Sequence, residues 1–511
     1  MKRIIIPGPP GTGKTYHLTN HYLRKELEEY KTNPIRIAYI TFSNAAADEA
    51  KKRIFNLFPN YDMKKHFPYV STMHSMGTRQ LNIDTNTKLL NGKNKWQAFK
   101  NFSQICKDLN FDSQINELGH MVHKNRHMQV IEYAKNKKIN LIDASRDLGL
   151  HHSLNLYKTE QIYKDLISYK KHTGMVEFSD MINEFVKKDK CPPLDVVFLD
   201  EAQDLSPLQW DMFFYIESKC KRSYIAGDDD QTIYSFQGAD ADIFINLEGT
   251  LDARTQSRRV PKVVLKKALS ILPHITKRRE KVWLPRDAEG KVFENYSLEN
   301  IDFTKGNWMI LSITNEMMRP VVEHLNFLNI RFDCKYNDLL PKQLLEAYRV
   351  WVRLNQGATV GGEEAMSIYE YLSYDMGHTK RGFSSGDSLQ NIDTVDLDEL
   401  MLNHGLLISG SWEQLKIKEQ SKLYIKKLLE LGEDLFKEAR IKVSTIHGVK
   451  GEQCDNVVLF TDLTKKIYDE AQKNADPLHR TFFVGITRTK ENLYIMQPTE
   501  EYYYTIGDPI L

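Results

Sequence analysis

Residues 8–15 read GPPGTGKT and constrain the fold more than any other segment of the chain. They match the pattern GxxxxGK[ST], in which the backbone N–H groups of a glycine-rich turn surround phosphate groups. The pattern needs a strand before it and a helix after it. Residues 2–7 (KRIIIP) are typical of a short buried strand, and residues 16–30 have helical periodicity. This context argues against a chance glycine-rich turn and predicts an α/β fold with a phosphate site.

The residue types within this loop predict separate roles. Lys14 would reach the β- and γ-phosphates of a nucleotide, and Thr15 would bind Mg²⁺ through its hydroxyl. The N-terminus of the following helix favours negative charge. The residues of the loop that we expect to contact the nucleotide are Gly8, Pro9, Pro10, Gly11, Thr12, Gly13, Lys14 and Thr15.

A second segment, DVVFLDEAQD at 195–204, supplies carboxylates at the end of a predicted buried strand. Asp200 suits Mg²⁺ binding through the metal's coordination water, and Glu201 suits a base that orients the attacking water. A solvated acidic turn is the alternative, and the phosphate loop makes it the weaker one. Together the two segments predict hydrolysis of a nucleoside triphosphate. ATP is favoured over GTP, because no guanine-specific [NT]KxD sequence follows at a suitable place.

Composition excludes several classes of protein. The length of 511 residues suggests three or four domains, and no run approaches the roughly 18 apolar residues of a membrane helix. The start is too quickly broken by Pro and Gly for a signal peptide. Five widely spaced cysteines favour reduced thiols over a zinc site or a disulfide framework. We therefore expect a cytoplasmic protein. The net charge of +2 neither supports nor excludes nucleic-acid binding.

The alternation of strands and helices stops near residue 85, where segments such as 95–110 look helical, and strand signals return at 195–200 and 222–226. A second alternation begins near residue 250, with predicted strands at 308–313 and 456–460. Between these two strands the sequence turns helical again. The predicted bounds are a first α/β domain at 1–84 and 173–250, an all-helical insertion at 85–172, a second α/β domain at 251–335 and 437–511, and a shorter helical insertion at 336–436.

A series of segments along most of the chain resembles, in order, the motifs of UvrD/Rep/PcrA-type superfamily 1 helicases. Any one of them could be accidental, whereas the ordered set is specific. The resemblance implies two tandem RecA-like P-loop NTPase domains, each with a helical insertion. The matching segments are GPPGTGKT (8–15), YITFSNAAADEAKKRI (39–54), STMHS (71–75), EFSDMI (177–182), DEAQD (200–204), AGDDDQTIYSFQGAD (226–240), QSRRVP (256–261), VSTIHGVKGEQCDNVVL (443–459) and FFVGITRTKENLYI (482–495).

The resemblance also implies roles in ATP hydrolysis for residues outside the phosphate loop. Arg259 and Arg488 would contact the γ-phosphate, since a guanidinium is permanently charged and pairs with phosphate oxygens. Taken alone, each arginine would more often be a surface salt-bridge partner. Gln203 and Gln231 would link the bound nucleotide to the DNA side.

By the same resemblance, six residues are candidates for contact with single-stranded DNA. Aromatic rings stack on any base and so grip a strand without reading its sequence. Phe42 and Tyr234 could instead be core residues at strand ends. Phe236 follows a turn and precedes Gly238, so we expect it to be exposed. The candidates are Phe42, Tyr234 and Phe236 for stacking, His74 and His447 near the strand backbone, and Asn44 in the 39–54 segment.

The sequence departs from the family pattern around the nucleotide base. The glutamine-containing segment that usually precedes the phosphate loop does not match here, because seven residues precede Gly8. Arg258 stands where a tyrosine usually stacks on adenine, and Tyr16 stands where an arginine is common. Either side chain could contact the base. Gln453 aligns with an acidic ribose contact. Other nucleoside triphosphates could therefore be accepted.

The whole pattern predicts an ATP-dependent DNA helicase that moves 3′→5′ on single-stranded DNA, with Mg²⁺-dependent ATP hydrolysis between the RecA-like domains. The polarity rests on the resemblance alone. The alternatives are a single-stranded DNA translocase that barely unwinds, and a nucleic-acid-gated ATPase switch. A metabolite kinase would leave the later motifs unexplained. The expected partners are single-stranded and tailed duplex DNA, with the second helical insertion available to a protein partner, and the expected state is a monomer or weak oligomer.

Overall fold

The structure is a computed structural model that describes residues 2–111, 113–115, 121–337, 339–383, 385–390 and 392–509. These residues form two compact units. The first comprises the described residues up to Lys291, Leu463–Glu491 and those from Tyr502 onward. The second comprises Val292–Asp462 and Asn492–Glu501. The finer domain bounds drawn from the sequence stay a prediction.

The described residues contain thirteen strands and twenty-one α-helices. The strands are β1 Lys2–Pro7, β2 Ile37–Thr41, β3 Tyr69–Thr72, β4 Ser113–Ile115, β5 Met121–His123, β6 Val196–Leu199, β7 Arg222–Gly227, β8 Thr250–Leu251, β9 Lys291–Tyr296, β10 Trp308–Ser312, β11 Ile441–Thr445, β12 Cys454–Leu459 and β13 Thr489–Met496. The helices are α1 Lys14–His17, α2 Arg24–Glu28, α3 Asn44–Leu57, α4 Met63–His66, α5 Met73–Gln80, α6 Thr85–Lys88, α7 Lys93–Phe102, α8 Arg126–Lys137, α9 Leu141–Asp147, α10 Leu156–Thr173, α11 Phe178–Lys187, α12 Pro207–Ser218, α13 Ala241–Ile245, α14 Lys262–Leu269, α15 Arg319–Phe327, α16 Lys342–Asn355, α17 Gly362–Tyr369, α18 Leu397–Asn403, α19 Glu419–Glu430, α20 Lys465–Ala471 and α21 Asp476–Ile486.

The first unit is built on a six-stranded sheet with the order β3-β2-β6-β7-β1-β8. Its strand pairs are parallel, and the residues of β2 and β6 are all buried. Strands covered on both faces read as continuous apolar runs, which is why VVFL and IAYIT were recognisable in the sequence. The prediction of an α/β fold with parallel sheets is confirmed.

The parallel arrangement brings the carboxyl ends of the central strands to one edge of the sheet. Pro7 at the end of β1 pairs with Gly227 at the end of β7, and Ile40 of β2 pairs with Leu199 at the end of β6. The loops that follow these strands therefore lie side by side. They carry the phosphate loop, the acidic segment and the 226–240 segment.

The second unit contains a five-stranded sheet with the order β11-β10-β12-β13-β9, in which β10 pairs in parallel with β11 and β12. Helices α16 to α19 lie in the stretch predicted as the second insertion. They enclose an apolar cluster of their own around the fully buried Trp351. The region is helical, as the sequence predicts.

The prediction that residues 85–172 are all helical is wrong, because β4 and β5 form a two-stranded antiparallel sheet there. Each strand has three residues, too few for an alternating pattern to be recognised. The helix expected over 95–110 is also shorter than predicted. Helix α7 ends at Phe102, and a 3-10 helix then places Cys106 in the apolar core.

The helix expected after the phosphate loop differs in detail. It begins at Lys14 and contains a π-helical turn at Leu18–Leu23. Within this turn the Thr19 hydroxyl donates to the carbonyl of Thr15 at 3.0 Å.

None of the helices in the described part of the chain is long and apolar enough to span a membrane.

Candidate active site and nucleic-acid interface

The phosphate loop follows β1 and turns through two glycines in the left-handed region, Gly11 (φ +75°) and Gly13 (φ +77°). Helix α1 begins directly afterwards at Lys14. The Lys14 side chain is 8% exposed, and its Nζ donates to the carbonyl of Gly8 at 2.8 Å. The ammonium group is thus held inside a loop that is shaped to receive phosphate groups.

A segment distant in sequence is in direct contact with this loop. The backbone N–H of Arg258 donates to the Gly11 carbonyl at 2.8 Å, and the Ser257 hydroxyl donates to the Pro10 carbonyl at 3.0 Å. A Cβ at Gly11 would lie 2.6 Å from both Ser257 Oγ and Arg259 Cβ, so no larger residue fits there. Ser257 was not predicted as a site residue, although it lies within the QSRRVP segment that was recognised.

Asp200 follows β6 and is 4% exposed. The Tyr39 hydroxyl donates to its Oδ2 at 3.1 Å, and the Thr15 hydroxyl also hydrogen-bonds to it. Burial, and then the charge of Glu201, raise the pKa of Asp200 to about 6, while Thr15 and Lys14 oppose the rise. The hydroxyl and carboxylate oxygens of Thr15 and Asp200 are the ligand types that Mg²⁺ prefers, so these two residues fit the ion. Tyr39 was not predicted as a site residue, although it begins the recognised 39–54 segment.

Glu201 adopts a backbone conformation that is rare for a residue with a side chain. Its φ is +55° and its ψ is +44°, in the left-handed region, which costs about 1–2 kcal/mol for an L-residue. The Nε2 of Gln203 donates to Glu201 Oε2 at 2.6 Å. The strained turn and this hydrogen bond together fix the direction of the carboxylate expected to act as the base.

A chain of hydrogen bonds connects Glu201 to Arg488. Gln203 Oε1 accepts from the backbone N–H of Asp228 at 2.9 Å, and the Asp228 carboxylate accepts from Gln231 Nε2 at 2.7 Å. Gln231 Oε1 in turn accepts from Arg488 Nη2 at 2.9 Å. The structure thus brings the predicted residues Gln203, Gln231 and Arg488 together. Asp228 joins them, and it was not predicted even though it lies in the recognised 226–240 segment.

Two guanidinium groups lie in this buried region. Burial lowers the pKa of Arg259 to about 10, although Glu201 opposes this effect. Burial, and then repulsion from Arg259, lower the pKa of Arg488 well below its ordinary value, and Arg488 is 1% exposed. Arg488 is buried and Arg259 is half-buried, and an anion beside them would stabilise both positive charges. A terminal phosphate group would meet this requirement.

The side chains predicted at the nucleotide base lie next to each other at the surface. The Cζ of Arg258 is 5.3 Å from the centre of the Tyr16 ring, and Tyr16 is 46% exposed. This distance is within the range of a cation–π contact. Gln453, predicted to contact the ribose, lies in the second unit and is exposed.

Three predicted DNA-binding residues line one cavity in the first unit. Its volume is about 480 Å³, and its walls include Phe42, Asn44 and His74. The ring of Phe178, which was not singled out, also lines the cavity and lies 5.0 Å from that of His74. A groove with polar and aromatic walls can take a nucleic-acid strand.

The aromatic candidates differ in exposure. Phe42 stacks on Tyr234 with their ring centres 5.1 Å apart, and the two residues are 8% and 2% exposed. This burial favours the alternative that the pair has a packing role. Phe236 is 52% exposed, as its position in a turn predicts. His447 lies in the second unit at the start of a 3-10 helix.

Comparison with known proteins gives matches along both units. Residues 1–252 match the model of the UvrD/REP helicase N-terminal domain, and residues 411–500 that of the UvrD-like helicase C-terminal domain. The chain is 30% identical over 264 residues to a probable DNA helicase II homolog of Mycoplasma capricolum subsp. capricolum, covering 49% of this chain and 35% of the relative. It is 25% identical over 311 residues to ATP-dependent DNA helicase PcrA of Staphylococcus epidermidis, covering 57% and 40%.

The chain therefore spans less than half the length of these curated relatives. Among solved structures, an arterivirus nonstructural protein 10 helicase aligns with 98% of this chain and 60% of its own, at a TM-score of 0.33 and 11% identity. A similarity this low bears on neither fold nor function. The two family models are the matches that carry weight.

Proposed function

We propose that this chain, which belongs to the UvrD/REP helicase family, uses ATP hydrolysis to move along single-stranded DNA in the 3′→5′ direction. The same movement would separate the strands of a duplex. The observation that carries the proposal lies in the first unit. There Lys14, Asp200 and Glu201 are joined by hydrogen bonds and charge to Gln231 and Arg488. This arrangement provides charge for the phosphates and a base for water at one edge of the sheet.

In the proposed hydrolysis, Lys14 and the loop backbone bind the β- and γ-phosphates. Glu201, held by Gln203, orients water for attack on the γ-phosphate and accepts its proton. Arg259 and Arg488 stabilise the negative charge that develops on the transferred group. Thr15 and Asp200 would hold Mg²⁺, which would neutralise part of the phosphate charge.

The proposed link to DNA runs through the loop that follows β7. Gln231 and Tyr234 belong to this loop, and Tyr234 stacks on Phe42, which lines the cavity. A change in the position of Gln231 on nucleotide binding or hydrolysis would therefore shift a wall of the DNA cavity. Because the Phe42–Tyr234 pair is buried, such a shift moves packed side chains together.

Strand displacement tests the proposed function. Duplexes with a 3′ tail, a 5′ tail or no tail are incubated with the protein, ATP and Mg²⁺, and the displaced strand is measured. The proposal predicts displacement from the 3′-tailed duplex. Preference for the 5′ tail would contradict the polarity. DNA-stimulated ATPase with no strand displaced at excess protein would favour the translocase, and slow turnover that DNA leaves unchanged would favour the switch.

Tyr16→Ala is expected to weaken ATP binding. Loss of a stacking surface beside Arg258 should raise the KM for ATP about 5- to 100-fold, the range measured for aromatic–base stacking. The kcat should change little, because a contact made equally to substrate and transition state affects binding alone. Steady-state ATPase assays measure both constants. Tyr16→Phe keeps the ring and serves as the control, and an unchanged KM in Tyr16→Ala would remove Tyr16 from the base site.

Phe236→Ala is expected to weaken binding of single-stranded DNA. An exposed ring next to the buried Tyr234 is placed to stack on a base, and its loss should raise the Kd about 5- to 100-fold. Fluorescence anisotropy with a labelled oligonucleotide measures the Kd. Phe327→Ala removes a ring that is 82% exposed in the second unit and should leave the Kd unchanged. Equal effects of the two substitutions would contradict a specific role for Phe236.

A further inference from the structure

A buried cluster of charged side chains adjoins the active-site hydrogen-bond chain at Asp228. The Lys281 side chain is 4% exposed, and its Nζ lies 2.7 Å from Asp228, 2.5 Å from Asp229 and 2.9 Å from Asp230. Arg278 makes two hydrogen bonds to Asp230, at 2.8 and 2.9 Å. The three carboxylates are at most 2% exposed. Buried carboxylates are stable only when paired. Lys281 contacts all three and, with Arg278 at Asp230, allows them to lie together.

Lys281 keeps Asp228 in its ionised form. Burial alone would raise the pKa of Asp228, but Lys281 and then Lys14 hold it below its ordinary value. An ionised carboxylate accepts hydrogen bonds and donates none. Asp228 therefore requires a donor from each neighbour that contacts its oxygens. Lys281 provides one, and Gln231 provides the other.

This requirement fixes the orientation of the Gln231 amide. Its Nε2 donates to Asp228 Oδ2 at 2.7 Å, so its Oε1 faces Arg488 and accepts at 2.9 Å. The flipped amide would place its oxygen against the carboxylate and its NH₂ group against the guanidinium, and both contacts would be repulsive. The charge of Asp228 thus determines which end of Gln231 meets Arg488.

Asp228 also positions the side chain of Gln203. The backbone N–H of Asp228 donates to Gln203 Oε1, which leaves the Nε2 of Gln203 to donate to Glu201. Asp228 therefore lies between the side chain expected to act as the base and the arginine expected to contact the γ-phosphate. Any displacement of Asp228 would disturb both.

We propose that Lys281 is a positioning residue for ATP hydrolysis, which holds the Asp228 carboxylate in place and through it orients Gln231 toward Arg488. This inference rests on the proposed function. It assigns a role to a residue in the segment RREKVW (278–283), which matches none of the recognised motifs. Lys281 acts through Asp228 and Gln231, and it supplies the charge that keeps the active-site hydrogen bonds in one arrangement.

Two isosteric substitutions separate positioning from stability. Asp228→Asn and Asp229→Asn each remove one carboxylate from Lys281. Only Asp228→Asn changes the group that orients Gln231, because the asparagine amide keeps a single acceptor oxygen and Lys281 competes with Gln231 for it. In Asp228→Asn the DNA-stimulated kcat should fall about 10- to 100-fold, because this is the loss expected for one hydrogen bond to a charged group. The KM for ATP should stay within about threefold of the wild-type value. In Asp229→Asn we expect a kcat within about threefold of wild type.

Two lysine variants, Lys281→Met and its control Lys277→Met, give a second test that does not depend on the aspartates. Lys281→Met should lower kcat by a similar factor to Asp228→Asn. Lys277→Met removes an exposed lysine that pairs with Asp242 and should leave kcat unchanged. All variants are assayed below their measured melting temperatures.

The inference is overturned if Lys281→Met keeps the wild-type kcat, or if the two asparagine variants lose kcat equally or keep it equally. It is also overturned if Asp229→Asn alone loses kcat. Absence of ATPase in the wild-type protein would instead count against the proposed function. The two failures are therefore distinguishable.

Discussion

Lys14→Ala is expected to abolish ATP hydrolysis. Lys14 is 8% exposed and its ammonium is held at the phosphate loop by the Gly8 carbonyl, so alanine removes the positive charge expected to contact the transferred phosphate. Removal of one preorganised donor to a developing charge costs about 10²–10³-fold in kcat, and the lost lysine carries a full charge as well. We expect a decrease of at least about 10²-fold in phosphate release.

The control for this experiment is Lys25→Ala. Lys25 lies on α2 in the same unit and pairs at the surface with Glu29 at 3.7 Å, so its loss should leave the rate unchanged. Melting temperatures of both variants establish that they are folded. A Lys14→Ala variant with near wild-type turnover would contradict the assignment of residues 8–15 as the phosphate site.

Glu201→Gln is expected to bind ATP and to lose turnover. Glutamine has the same shape, so it can keep the left-handed backbone and still accept from Gln203, but it cannot accept a proton from water. Loss of a general base lowers rates by about 10²–10⁴-fold. The Kd for ATP should stay within about threefold, because Glu201 is not expected to contact the phosphates.

Equilibrium binding of a fluorescent ATP analogue and single-turnover hydrolysis separate the two effects of Glu201→Gln. Glu248→Gln changes an exposed carboxylate of the same unit and should affect neither. If Glu201→Gln lost ATP binding together with turnover, the residue would have a structural role, and the base would have to be sought elsewhere at this edge of the sheet.

The parts of the fold that could be predicted were those with strong local signals. The apolar runs of β1, β2 and β6 and the glycine pattern of residues 8–15 are visible in the sequence, since buried parallel strands and phosphate loops both require particular residues in series. The antiparallel pair of β4 and β5 gave no such signal. Three residues per strand cannot show a period.

The predicted site residues lie in or next to recognisable segments, but such a segment does not show which of its residues act at the site. Ser257, Asp228 and Tyr39 lie in recognised segments and were not predicted. Lys281 and Tyr39 act on side chains that are distant in sequence, Asp228 and Asp200, and only the folded chain shows these contacts. The burial of the Phe42–Tyr234 pair is equally a tertiary property, because the two stacked rings are distant in sequence. The roles of His447 and Gln453 rest on the family resemblance and stay predictions.

The most direct test of the account is the steady-state ATPase rate with and without single-stranded DNA, at several salt concentrations. A motor that grips DNA through phosphate contacts should hydrolyse ATP much faster with DNA, and the stimulation should weaken as salt rises, because counterions compete for the phosphates. The proposed function predicts this result. An ATPase rate that neither DNA nor RNA changes at any salt concentration would contradict it.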